Sequence, residues 1–328
     1  MKKLKAVQIG ADHAHAFAPI NSLKKRDDID FLGYVRLDGE KTTFAGVPEL
    51  KYDDVLKMTD IDAVFIETED KYLTDYAYEF IKRGIPVQMD KPGGQDKEAF
   101  DRLFDLAEEK NVPLHLGYMY RYNPAISRLS SEIASGALGK IHYVEAQMNC
   151  YHPPENKARY IKDYKGGMMN FLGCHLVDLV LRWQGVPDEV IPFNSATGDG
   201  GEDIGFAVFR YGNDHSLIRA TAVEAGGFMR RQIVVCGEKG TVEINPTEYF
   251  SDVPDEIRTD TYVSMLAERG KEWGYRPERQ VFVSPDRYDG MYDEFFRIVR
   301  GEIQNPYSYK YEKTLHDVLL KACGINIK

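Results

Sequence analysis

A short apolar run from Lys5 to Gly10 is followed by Gly10-Ala-Asp-His-Ala-His-Ala-Phe17, a stretch that offers Asp12, His13 and His15 as groups able to hold a proton, a phosphate oxygen or a metal. A glycine between a strand and a helix turns backbone N–H groups toward the helix N-terminus, where they can meet an anion. In a dinucleotide-binding G-x-G-x-x-G loop the second glycine lets the backbone approach the pyrophosphate; here Asp12 fills that slot and His15 the sixth position. Two readings stand. Either Gly10, Asp12, the amides of Ala11 to Ala14 and the His13 or His15 ring receive a phosphate, or Asp12 caps an ordinary strand-to-helix turn. Three ligands so close on a turning backbone rarely converge, so Asp12, His13 and His15 are assigned no metal.

Lys91 is a second candidate, in Met89-Asp-Lys-Pro-Gly-Gly94 at the end of an apolar run. The carboxyl end of a parallel strand is where open α/β sheets bind ligands, although a lysine there can also be a solvated charge. In a dinucleotide-binding chain the residue roughly 20 positions past the glycine loop chooses the cofactor. Arg36 can pair with the 2′-phosphate of NADP, while Asp38 can take the ribose hydroxyls of NAD, and the sequence leaves both open. Further along, Lys165-Gly-Gly-Met-Met-Asn-Phe-Leu-Gly-Cys-His-Leu-Val-Asp178 opens a helix that Gly185 closes, with His175 in its first turn.

These groups need elements to place them. Short apolar runs (Lys5 to Gly10, Phe31 to Val35, Ala63 to Glu67, Pro86 to Met89, Pro113 to Tyr118) alternate with helical patterns at Thr74 to Arg83 and Lys97 to Lys110. Strand and helix in turn predict a doubly wound parallel sheet. From Ile141 the runs lengthen and crowd (Ile141 to Met148, Ile204 to Tyr211, Ser216 to Glu224, Gln232 to Cys236, Thr241 to Ile244), which predicts a mostly antiparallel sheet. Helices are expected at Asn123 to Ala134, Cys174 to Trp183, Tyr288 to Arg300 and Glu312 to Ala322. Asn245 to Pro285 is polar and without a clear period, and reads as a long connection or lid.

With 328 residues, 43% hydrophobic and 29% charged, two domains are expected. A net charge of −10 disfavours nucleic acid and anionic lipid as partners. No apolar run approaches about 18 residues and no signal-peptide pattern opens the chain, so a cytoplasmic protein is expected. Cys150, Cys174, Cys236 and Cys323 lack metal or redox spacing and read as buried thiols.

Taken together, Ile61-Asp-Ala-Val-Phe-Ile66, Asp90-Lys91-Pro92, Arg121 with Asn123-Pro124, Gly173-x-His175-x-x-Asp178 and Gly237-Glu-Lys-Gly-Thr241 resemble the Gfo/Idh/MocA family over nearly the whole chain. The resemblance implies an α/β architecture: a dinucleotide-binding Rossmann domain in residues 1–120, then a substrate-binding and oligomerisation domain in 121–328 with an open, mostly antiparallel sheet. It implies hydride transfer between NAD or NADP and a hydroxyl carbon of a sugar or cyclitol, in a homo-dimer or homo-tetramer. The motif lysine is Lys91, which would stabilise developing alkoxide charge, and the motif histidine is His175, which would move the hydroxyl proton. The aspartate usual four residues before that histidine is replaced by Phe171, with Asn170 beside it. Thr68 and Glu69 follow the third long strand at the cofactor edge, Glu69 replacing a common proline and Leu73 a frequent histidine. Tyr118, Tyr120, Tyr122 and Tyr151 combine a flat apolar face with a hydroxyl, as sugar recognition requires, and Arg121, His152 and Arg159 could hold a carboxylate or polyol. Two other outcomes on the same fold are a non-enzymatic dinucleotide or sugar-binding regulator and a lyase or glycosidase that oxidises its sugar only transiently.

Overall fold

The computed structural model describes residues 3–13, 15–253, 256–266, 277–284 and 286–327. The chain packs as two compact units: Met1–Met119 with Tyr288–Lys313, and Tyr120–Arg287 with Thr314–Lys328.

The first unit is built on a six-stranded parallel sheet in the order β3-β2-β1-β4-β5-β6. The strands are β1 (Leu4–Ile9), β2 (Ile29–Val35), β3 (Glu49–Leu50), β4 (Ala63–Ile66), β5 (Val87–Met89) and β6 (Leu114–Leu116). All of β4 is buried, as expected of a central strand covered on both faces. The connecting helices are α1 (Phe17–Lys24), α2 (Tyr52–Val55), α3 (Leu73–Lys82) and α4 (Lys97–Lys110). Local chemistry fixes the ends of α4: the Asp96 carboxylate accepts from Ala99 N at 2.8 Å, and Asn111 closes the helix in the left-handed region at φ 51°. Phe100, Leu103, Phe104 and Ala107 make its buried stripe.

The second unit carries α5 (Pro124–Ala134), β7 (Ile141–Asn149), α6 (Pro154–Tyr160), α7 (Cys174–Gln184), β8 (Glu189–Pro192), β9 (Ile204–Tyr211), β10 (Asp214–Thr221), β11 (Gln232–Gly237), β12 (Gly240–Ile244), β13 (Tyr249–Phe250), β14 (Ile257–Leu266) and β15 (Glu278–Ser284). Its sheet runs β13-β14-β12-β11-β7-β10-β9-β8 with β15 on β14, and every pair is antiparallel except β7 with β10. Alternation of buried and half-buried residues along β9 and β11 leaves one face of this sheet in the core.

Two expectations change. The region Asn245 to Pro285 is no lid where it is described: its residues form β13, β14 and β15. The period was hidden because Thr259 and Ser264 are among the inward residues of β14, and Thr259 Oγ1 satisfies itself on the Thr247 carbonyl at 2.6 Å. Residues 288–313 do not stay with residues 121–287 but pack in the first unit, and only 314–328 return to the second. Helix α8 (Asp289–Val299) covers the first sheet, where Phe65 of β4 meets the rings of Tyr292 and Phe295 at 5.5 Å each. The start of α9 (Tyr309–Ala322) is fastened there too, Tyr309 Oη accepting from Leu114 N at 3.0 Å and donating to the Val112 carbonyl at 2.7 Å. Of the cysteines, Cys174 and Cys323 are buried and Cys150 and Cys236 half-buried, all as free thiols.

A buried ion pair ties α7 to the turn after β6. Arg121 Nε lies 3.0 Å from Asp178 Oδ2 and Nη2 2.7 Å from Oδ1, with both side chains out of water. Removing one member of such a pair strands the other charge, so Arg121→Ala should cost about 3–5 kcal/mol in urea unfolding, whereas Arg121→Met with Asp178→Leu should recover most of that loss.

Candidate active site

Gly10 ends β1 at φ +96°, and a Cβ there would stand 2.4 Å from the Glu67 carbonyl oxygen. Only glycine lets the ends of β1 and β4 close up in this way. Gln8 braces the turn that follows, its Nε2 donating to the carbonyls of Gly10 at 2.9 Å and Ala16 at 2.8 Å. Residues 11–13 and 15 therefore lie over the carboxyl edge of the sheet where the strand order reverses, the usual ligand crevice of such sheets.

There the two histidines converge after all. His13 Nδ1 is 2.9 Å and His15 Nδ1 3.1 Å from Asp90 Oδ2, and the rings cross edge to face at 5.3 Å. A distant element, the end of β5, supplies the carboxylate that local spacing does not reveal. His13 also faces Asp70 Oδ1 at 3.8 Å and Glu67 Oε2 at 4.0 Å. Glu67, Asp70, Asp90 and Lys91 are all buried, Lys91 completely.

Burial raises the Glu67 carboxyl well above the usual carboxylate range, helped by the charge of Asp90 and opposed by Lys91. Burial acts on Asp90 in the same direction but loses to the two imidazoles on it, which hold its carboxyl well below that range. His15 is lowered to about 4 by burial, against the pull of Asp90. The two neighbouring carboxyls are thus pushed in opposite directions, Glu67 toward its protonated form and Asp90 toward its ionised one, beside a His15 that is neutral at pH 7.

The other expected cofactor residues divide. Asp12 leaves the turn and its carboxylate accepts from Lys41 N at 2.9 Å and Thr42 N at 2.6 Å, so it does not cap α1. Arg36 pairs with Glu49 at 2.9 Å. Asp38 is exposed and, with Arg36, Leu37, Tyr72 and Tyr76, lines a cleft of about 590 Å³. Thr68 is buried and donates to the Glu69 carbonyl at 3.1 Å, while Glu69 is exposed and pairs with Lys71 at 2.8 Å. The residue that sequence reasoning missed is Glu40. Its carboxylate accepts from Ala11 N at 2.9 Å, Asp12 N at 3.3 Å and Leu37 N at 2.8 Å, in the place where the glycine turn presents its amides. Its position in an irregular loop carries no motif.

Of the expected substrate residues, Tyr118 is buried in the first unit and Tyr151 is exposed in the second. In the second unit a π-helical turn, Met169–Gly173, precedes α7 and holds Asn170 and Phe171 inside. Gly167, at φ +35°, admits this turn because a Cβ there would lie 2.1 Å from the Glu202 carbonyl oxygen. Phe171 stacks on Tyr160 at 5.4 Å and meets His152 edge-on at 5.8 Å, so the residue in the usual aspartate position belongs to an aromatic cluster. Arg121, expected to touch substrate, is committed to Asp178. His175 is buried at the start of α7, with the Tyr120 ring edge-to-face at 4.9 Å. Tyr120 is in turn locked: its hydroxyl donates to Glu248 and accepts from Arg231 Nη1 at 2.7 Å and Arg287 Nη2 at 2.8 Å.

Fold and site thus define an NAD-binding Rossmann oxidoreductase. Residues 10–118 match the model described as the oxidoreductase family, NAD-binding Rossmann fold, and residues 126–243 match the GFO/IDH/MocA C-terminal domain. The chain belongs to the Gfo/Idh/MocA family. It is 30% identical over 130 residues to the rhizopine catabolism protein MocA of Rhizobium meliloti, 40% of each chain. It is 25% identical over 178 residues to scyllo-inositol 2-dehydrogenase (NADP(+)) IolW of Bacillus subtilis, 53% of this chain and 49% of that one. These matches therefore span about half or less of the curated relatives. The WlbA dehydrogenase from Bordetella pertussis, solved in complex with NADH and UDP-GlcNAcA, shares the fold at TM-score 0.77 and 19% identity, over 98% of this chain and 95% of that one.

Burial raises the Glu248 carboxyl, but the Arg287 and Arg231 guanidiniums and the Tyr120 hydroxyl more than offset this and leave it below its ordinary 4.5. A depressed carboxyl stabilises the fold above the unfolded-state value and loses that contribution as pH falls through the folded one. Melting temperature measured from about pH 6 to about pH 3 should fall for the native protein, while Glu248→Gln should start lower and converge on it at the acid end.

Proposed function

We propose that this chain transfers a hydride between NAD(H) and a hydroxyl-bearing carbon of a sugar, cyclitol or related polyol. The observation that carries the reading is Lys91, fully buried beside an ionised Asp90 at the carboxyl end of β5 in an NAD-binding domain. A buried ammonium at that edge suits an oxygen that gains charge as a hydroxyl is oxidised. The residues fit a dinucleotide. The Gly10 turn leaves no room for a Cβ, the N–H groups of Ala11 and Asp12 point together at one carboxylate, and the cleft beside Arg36 and Asp38 is about 590 Å³. When bound, the nicotinamide supplies the hydride acceptor or donor.

Lys91 Nζ donates to the reacting oxygen and stabilises it as alkoxide. In the second unit His175, the motif histidine, has an imidazole suited to taking or returning a proton, with the Tyr120 ring packed edge-on against it. Glu40 accepts from the ribose hydroxyls, and its charge disfavours a 2′-phosphate. With Arg36 held by Glu49, the preference goes to NAD(H) over NADP(H). Polyol chemistry draws support from relatives named as inositol dehydrogenases.

Nicotinamide fluorescence should show saturable NADH binding, with NADPH weaker by about tenfold or more, and Glu40→Ala should narrow that gap. On a polyol turned over by the native enzyme, Lys91→Met should lower kcat by about 10²- to 10⁴-fold while NADH binding persists. A folded protein that binds neither dinucleotide would refute the reading.

A further inference from the structure

From the group above the glycine turn we infer a second binding site: His13, His15 and Asp90 bind one divalent transition metal of the zinc class, with Glu67 and Asp70 beside it. The three residues offer ligand atoms that all lie within 4.8 Å of one another. Ligands about 2.0–2.1 Å from a tetrahedral zinc stand about 3.3 Å apart. The nitrogen-to-oxygen distances here, 2.9 Å for His13 and 3.1 Å for His15 against Asp90 Oδ2, fall within a few tenths of an ångström of that. Small adjustments of side chains already in place would complete the shell.

An independent observation points the same way. Glu67 is 2% exposed, yet its Oε2 has no hydrogen-bond partner and lies 4.0 Å from His13 Nδ1. A buried carboxyl oxygen without a partner costs stability unless something binds it. His13 Nδ1 adds to the case: it stands 3.3 Å from the His15 backbone N–H as an acceptor and 2.9 Å from an acceptor oxygen of Asp90. A nitrogen cannot present its lone pair to a donor and a carboxylate at once, but a cation near the imidazole and the carboxylate satisfies both of those ligands. Two imidazoles with carboxylates suit zinc, cobalt, iron or nickel better than magnesium or calcium, which take all-oxygen shells. Three ligands leave a position for an oxygen ligand.

The site adjoins Lys91 at the dinucleotide edge, so metal binding is measured by itself, without turnover. The full chain, stripped with chelator and dialysed, is titrated with Co²⁺ and followed by its visible ligand-field absorption, then challenged with Zn²⁺. One Co²⁺ per chain with a nitrogen-and-oxygen spectrum, displaced by Zn²⁺, is expected. His15→Ala, at a half-buried turn position, should weaken Co²⁺ binding by at least about tenfold, and His175→Ala should leave it unchanged. No saturable spectrum from the native protein, or equal binding by the native protein and His15→Ala, would overturn the assignment. NADH titration of the same stripped sample reports separately on the dinucleotide reading.

Discussion

The ends of β1 and β4 meet through bare backbone, Gly10 against the carbonyl of Glu67, and the arrangement of the first unit's site follows from that contact. A side chain at Gly10 would push the strands apart at the point where the sheet order reverses. Because the contact holds, the turn after β1 folds back over the strand ends, the amides of Ala11 and Asp12 aim at Glu40, and the rings of His13 and His15 reach Asp90. Gln8 secures the same turn from below with two carbonyl contacts. Sheet topology and one missing Cβ thus set which charged groups become neighbours.

Each unit then buries a carboxylate and surrounds it with groups that keep it ionised. Asp90 has two imidazoles, while Glu248 has Arg231, Arg287 and the Tyr120 hydroxyl. Buried charge is costly unless fully partnered, and the partnering fixes side chains that would otherwise rotate. The Glu248 group holds the Tyr120 ring against His175, so residues some 70 positions apart in sequence act through one aromatic contact. In the first unit, burial and the charge on Asp90 raise the Glu67 carboxyl while Asp90 itself is held low, so two neighbouring carboxyls at the ligand edge are driven apart.

The parallel sheet was legible because its central strands are continuous apolar runs and its helices carry their own start and stop signals, as Asp96 and Asn111 do for α4. Lys91 was legible from its position after such a run. What sequence could not disclose is contact made at long range. Glu40 sits in an irregular loop and is defined only by the amides it accepts from, and Asp90 by histidines some 75 residues earlier. Strand β14 was obscured by inward Thr259 and Ser264, and the amphipathic stripe of α8 does not say which sheet it covers. Arg121 and Asp178 were visible as motif residues, but a buried ion pair and a substrate contact call for the same residue types.

Hydride movement between a nicotinamide and a polyol carbon is the step we propose for this protein. NADH carrying deuterium at the transferable nicotinamide position, incubated with the protein and a panel of keto-sugars and keto-cyclitols, puts it to mass spectrometry directly. A reduced product bearing one deuterium on the former carbonyl carbon is the predicted result. Products that form without label, or NADH that binds and stays unchanged against every ketone offered, would contradict it.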